Sequence, residues 1–177
     1  MMTLAQLVKI MPYARSRAGL FIDHLNAAMT EFEINTKSRV ASFLSQVAKE
    51  SGQLQYVREL ASGEAYDTGS LAVRLGNTPE ADGDGQRWKG HGLIQVTGLG
   101  NHAACAKYFG LPLNQIAAWL ETPVGACRSA GWFWKTKGLN QLADAGDQRA
   151  VTKRVNGGYN GLAERLAVFE VAMRVLP

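Results

Sequence analysis

Eight of the 19 glycines in this 177-residue chain fall between Ser62 and Gly98. The same stretch holds Asn77-Thr78-Pro79 and Asp82-Gly83-Asp84-Gly85, both of which punctuate turns. No long helix runs through such a segment, because each glycine weakens a helix and Pro79 lacks a donor. On both sides of it apolar residues recur at helical spacing. The chain is therefore expected to be mainly α: a helical body carrying a small turn-rich or β-containing lobe at about 60–98, with a ligand cleft between them.

The helix signals are local and physical. Thr3-x-x-Gln6 is a capping box before a short helix that stops at Pro12. From about 15 to 32, Phe21, Leu25, Ala28 and Phe32 form an apolar stripe. Ser38 is positioned to cap a helix from Arg39 to about Ser51, ended by Gly52. Later helices are expected over about 101–109 and 114–121. Thr122-Pro123 then pairs a cap with an N1 proline before a helix ending at Gly138. Asp147 caps a helix to about Val155, and Asn160 opens the last one, with Leu162, Leu166, Phe169 and Met173 on one face. Within the lobe, Leu93–Thr97 is the best strand candidate. Alternation there would put Gln95 and Thr97 on one side, with Ile94 and Val96 on the other.

At 46% hydrophobic the chain can build one core, and no repeat or linker divides it. A single domain over 1–177 is expected, with no separate wall- or substrate-binding module. The net charge of +4 lies wholly in the C-terminal part: residues 128–177 hold eight basic and four acidic side chains. Such an excess steers a protein toward an anionic polymer, nucleic acid or bacterial wall, without choosing between them. Cys105 and Cys127 match no metal or redox spacing and are expected to be free, buried thiols. His24, His91 and His102 form no helical ligand pair, so no metal or cofactor is expected. Lys9, Pro12, Arg15, Arg17 and Asp23 break up any apolar signal segment, and no stretch reads as a membrane span.

Glu50 stands out. It lies seven positions from Phe43 and so within about 20° of the core-facing stripe of its helix. It also sits in the last turn, at the negative end of the dipole. Desolvation and dipole together would raise its pKa, as a general acid requires, and neutralising it should leave stability unchanged or higher. The alternative is a structural salt bridge with an Arg or Lys. Glu59 follows on a different local element, and two carboxylates flanking a cleft are what glycoside hydrolysis needs. Gln95 and Thr97 are able to hold a sugar and a water. Asn156-Gly157-Gly158 is either a helix-ending turn or a close approach of backbone with an amide in reach. Trp132 and Trp134 read as core, whereas Trp88, in the lobe, is the candidate for stacking on a sugar.

Three ordered segments carry a resemblance. Gln46-Val-Ala-Lys-Glu50-Ser-Gly52, Lys89-Gly-His-Gly-Leu-Ile-Gln-Val-Thr-Gly98 and Asn156-Gly-Gly158 followed by Arg165 resemble motifs of the family 19 glycoside hydrolases. Within that family the chain looks most like the phage endolysins that cleave peptidoglycan, over roughly residues 36–175. The resemblance implies a lysozyme-like fold, with Glu50 as general acid, Glu59 as general base and Thr97 holding the attacking water. Gln95, Asn101, Asn156 and Arg165 would bind sugar or order the carboxylates. Two positions depart from the pattern: Lys49 replaces a His, and His91 replaces an Arg.

The resemblance thus implies an inverting hydrolase acting on glycan strands of peptidoglycan, not on nucleic acid, as a monomer without stable membrane insertion. The lack of an export signal implies residence in the host cytoplasm before release to the wall, with a holin-like, membrane-permeabilising partner. Alternatives are a chitinase of the same family, a lytic transglycosylase, and a glycan-binding module without catalysis.

Overall fold

The computed structural model describes all of residues 1–177. Eleven α-helices follow in order: α1 (Leu4–Ile10), α2 (Ala18–Glu31), α3 (Lys37–Glu50), α4 (Gly69–Leu75), α5 (Asp84–Arg87), α6 (Leu99–Phe109), α7 (Leu113–Leu120), α8 (Pro123–Thr136), α9 (Leu139–Asp144), α10 (Gln148–Asn156) and α11 (Leu162–Val175). Short 3₁₀ turns occupy Pro12–Ala14 and Glu64–Tyr66.

The centre of the body is α3. Every residue from Ala41 to Ala48 is buried, so this helix is enclosed and not amphipathic as its sequence pattern implied. It packs on α11, α9 and α10, while α2 packs on α8 and α1 braces both α2 and α11. Phe43 meets Trp134 edge-on at 5.4 Å between ring centroids. Burying a side chain of that size contributes about 2–3 kcal/mol. No helix is long and apolar enough to cross a membrane.

Several caps form as their residues dictate. Thr3 and Gln6 make the reciprocal capping box, Thr122 accepts from Gly125 N ahead of Pro123, and Asp147 accepts from Ala150 N. One cap differs. Thr36, not Ser38, closes the start of α3 by accepting from Arg39 N at 3.2 Å, and Ser38 donates instead to the Ala143 carbonyl at 2.6 Å.

The lobe contains turns and two short helices, α4 and α5, but no strand. Leu93–Gln95 form a tight turn, flanked by isolated bridges that pair His91 with Val96 and with Arg58. Gly92 (φ +85°) and Gln95 (φ +34°) take left-handed backbone, which an extended strand excludes. Leu93, Ile94 and Val96 are consequently all buried, and the expected alternation of faces is absent. With little core of its own, the lobe is tied by polar bonds. Asp67 is buried and accepts from Gly83 N and Gly85 N. Asn77 donates to the Tyr66 carbonyl and accepts from Leu99 N, joining the lobe to the start of α6.

Candidate functional site

The segment after α3 shows how the chain brings its two carboxylates to one place. Ser51 accepts from Leu54 N, and Gly52, Gln53 and Leu54 all have positive φ. Holding a Gln and a Leu in that conformation costs roughly 1–2 kcal/mol each; the complete burial of Leu54 offsets part of it. The turn reverses the chain and leads it out along the lobe. Glu59 N then donates to the Gly90 carbonyl at 2.8 Å, and Gly90 N returns a bond to Glu59 Oε2 at 2.9 Å.

An open cleft of about 460 Å³ lies between body and lobe. Glu50, Glu59, Gln95 and Thr97, four of the residues singled out in the sequence, line it together with Tyr56, Arg58 and Tyr66. A second groove of about 270 Å³ shares Gln95 and Thr97 as its wall and adds Asn101. Asn101 Nδ2 donates to the Thr97 carbonyl at 2.7 Å, so it fixes the backbone beside the cleft.

Glu50 is not the unpartnered carboxylate that its helix position suggested. Its side chain is 20% exposed, and Oε1 accepts from Arg165 Nη2 at 2.5 Å. Arg165 is 2% exposed and also donates to Gln46 Oε1 at 2.6 Å and to the Asn160 carbonyl at 3.3 Å. The structural salt bridge and the cleft position, alternatives in the sequence, thus both hold. The guanidinium also sits where the α3 dipole is negative. Since Oε1 is engaged, Oε2 is the oxygen available to carry a proton toward the cleft.

Glu59 is held by neutral donors. Tyr66 donates its hydroxyl to Oε1 at 2.8 Å, and Gly90 N occupies Oε2. Burial, and then the bond to Glu59, push the Tyr66 phenol up to about 12, so it remains a donor throughout the physiological range. Each carboxylate oxygen retains a lone pair for a water. Thr97 Oγ1 donates to the Gln95 carbonyl at 3.1 Å and keeps its acceptor capacity. Gln95 Nε2 donates to the Gly92 carbonyl at 3.0 Å. A Cβ at Gly90 would stand 2.1 Å from Gln95 Oε1, so the bare backbone here leaves room for the Gln95 amide.

Two expectations fail or fall elsewhere. Trp88 is 6% exposed, packs on His102 at 5.1 Å and donates from its indole nitrogen to Asp84, so it has no free face for a sugar. Asn156 is exposed at the end of α10 and lines neither the cleft nor the adjoining groove. Lys49, in place of the family His, points away from the cleft and pairs with Glu164 at 3.0 Å.

His91 is 3% exposed, and its Nδ1 lies 3.0 Å from His102 Nε2, whose own Nδ1 meets the Gly98 carbonyl at 2.8 Å. Two histidines without ligand spacing in sequence are thus joined by the lobe turn. Burial first, then His102, lowers the His91 pKa to about 4, and burial lowers that of His102. Glu121 Oε1 stands 3.5 Å from His91 Nε2, which would favour the charged ring. That carboxylate is 36% exposed and is shared with Arg58 at 3.6 Å, so burial dominates.

Sequence reasoning missed Gln46 and Tyr66. Gln46 stands four residues before Glu50, on the same helix face, a spacing that would have revealed it. Tyr66 lies among turn residues and carries no local signal.

Two carboxylates, a hydroxyl and an amide around one open cleft suit acid–base cleavage of a glycosidic bond. No family model matches the chain. A glycosyl hydrolase family 19 domain-containing protein of Haemophilus influenzae is 39% identical over 104 residues, covering 58% of this chain and 49% of that protein. An endochitinase of Arabidopsis thaliana is 34% identical over 126 residues, covering 69% of this chain and 40% of its own length. The chain therefore spans about half or less of these relatives. The solved structure of a bacterial family 19 chitinase superposes with a TM-score of 0.77 at 19% identity, covering 98% of this chain and 94% of that one. The chain has the glycosyl hydrolase family 19, chitinase-like fold.

Proposed function

We propose that the chain is a glycoside hydrolase that cleaves β-1,4 bonds in the glycan strands of bacterial peptidoglycan. The observation that carries this reading is the meeting of Glu50 and Glu59, from different elements, on one cleft with Thr97 and Gln95. Glu50 is the general acid and delivers its proton from Oε2 to the leaving oxygen. Glu59 is the general base, and Thr97 orients the water that it activates. Arg165 orders Glu50, while Gln95 and Asn101 hold sugar. The Asn156 amide contacts substrate beyond the cleft.

Seating on different elements favours the wide carboxylate spacing of an inverting enzyme, about 6.5–9.5 Å, over the roughly 5–5.5 Å of a retaining one. Peptidoglycan is favoured as substrate by the net charge of +4 and its concentration in residues 128–177. The biological setting we infer is that of an endolysin, held in the host cytoplasm and released to the wall by a membrane-permeabilising partner, acting as a monomer. The likeness to an endochitinase supports a second reading, chitin.

One experiment separates these. Purified peptidoglycan and chitohexaose are digested, with products read by mass spectrometry and by proton NMR before mutarotation. Reducing muropeptides appearing as the α-anomer are expected. Anhydro ends would mean a transglycosylase, an initial β-anomer a retaining route, and cleavage of chitohexaose alone a chitinase. Binding with no cleavage of either would reduce the chain to a glycan-binding module.

A further inference from the structure

The groove beyond Gln95 and Thr97 has a chemical character of its own. Trp132, Phe133, Thr136 and Lys137 line its far wall, and none of its lining residues is acidic. Lys137 is exposed and pairs with no carboxylate; its ammonium rests 5.7 Å from the centroid of the Phe133 ring. Arg154 donates from Nη1 to the Lys137 carbonyl at 2.9 Å and fixes the backbone there, without lining the groove itself. Arg39 on Asp144 and Arg128 on Glu31, by contrast with Lys137, are neutralised by a carboxylate. A groove with one unpaired lysine, no acid, and a wall shared with the glycan cleft is complementary to an anion attached to the glycan.

Building on the reading above, we propose that this groove is a subsite for the carboxylates of the peptide branch of peptidoglycan, with Lys137 as its specificity-determining residue. A neutral glycan such as chitin offers no anion for it. Gln95 and Thr97 wall both the cleft and the groove, and neither Glu50 nor Glu59 lines the groove, so a branch leaving a sugar held at Gln95 and Thr97 would enter it away from both carboxylates. The apolar wall of Trp132 and Phe133 accommodates the peptide's methyl groups, and Lys137 takes a carboxylate charge.

The test uses the full chain on soluble, peptide-bearing glycan strands and on the same strands with their carboxylates converted to amides. Wild-type kcat/KM should fall up to about fivefold on amidation, the scale of one exposed ion pair. Lys137→Gln should show the same loss on unmodified strands and none on amidated ones, and Lys137→Arg should restore it. Circular dichroism checks folding, which an exposed and unpaired Lys does not support. Equal rates of the wild type on both substrates, or an equal loss in Lys137→Gln on both, overturns the subsite and leaves the hydrolase reading standing. Wild-type protein that cuts neither overturns the hydrolase reading itself.

Discussion

The Glu50–Arg165 pair makes a quantitative demand. Burying Arg165 at 2% exposure against a carboxylate at 20% exposure sets two charges in a medium where their attraction is strong. At about 4 Å between charge centres and an effective dielectric near 20, Coulomb's law gives about 4 kcal/mol. The partial exposure of Glu50 and the hydration it regains when unpaired reduce this to a coupling of roughly 2–3 kcal/mol. Glu50→Gln keeps an oxygen for Arg165 but removes the counter-charge, so it should cost about 2 kcal/mol. For a chain of this size that is roughly 4–8 °C in Tm. Arg165→Met strands a carboxylate and the Gln46 oxygen together and should cost about 3–5 kcal/mol. The double variant should be less damaged than the sum by the coupling. Urea unfolding of all four proteins, with unchanged m-values, measures it. This reverses the expectation from sequence, in which neutralising a lone buried carboxylate is free or stabilising. A Glu50→Gln variant as stable as the wild type, or a coupling below about 0.5 kcal/mol, would refute the reasoning. Activity is a separate readout: loss of the acid should lower turnover by ~10² to 10⁴.

Three further outcomes follow from the geometry. Because the folded pKa of His91 is depressed to about 4, its contribution to stability is complete above the unfolded value near 6.5 and is lost as pH falls toward 4; urea titrations at pH 7 and 4.5 should differ by up to ~3 kcal/mol, and His91→Asn should flatten that difference. Gly90→Ala should lower kcat severalfold with little change in Tm, since its Cβ displaces the far end of Gln95 and not backbone, and a large fall in Tm would contradict this. Burial raises both thiols, Cys105 to about 12, so iodoacetamide should leave native Cys105 and Cys127 unmodified at pH 8 and label both in urea, as peptide mapping would show.

Much of the helical body is legible in the sequence because its signals act within a few residues. The capping box at Thr3, the Thr122-Pro123 start and the Asp147 cap each rest on contacts between near neighbours. Helix α3 is legible in extent, but its surroundings are not. The stripe through Phe43 and Val47 gives one buried face, while packing by α9, α10 and α11 buries the others. The lobe misleads for a different reason. Leu93, Ile94 and Val96 read as an alternating strand, yet each is buried by a turn whose shape depends on Gly92 and Gln95 in left-handed backbone. Trp88 reads as an exposed aromatic among polar turn residues. Its burial depends on His102, fourteen positions later and on another element.

The site shows the same division, and it bears on the chemistry. Glu50 is held by a cation that arrives from 115 residues further along the chain, on the neighbouring helix α11. Both belong to the helical body, so the proposed acid is fixed by packing and charge together. Glu59 is held within the lobe region by a phenol seven residues away and by the backbone of Gly90. No charge fixes the proposed base; its position follows the seating of the lobe through Glu59–Gly90 and Asn77–Leu99. The separation of the two carboxylates, on which the stereochemistry of the proposed reaction would depend, is therefore set by a few neutral hydrogen bonds at the lobe and not by the core. Neither carboxylate could supply that information alone, since periodicity places Glu50 on a helix and nothing local places Glu59 opposite it.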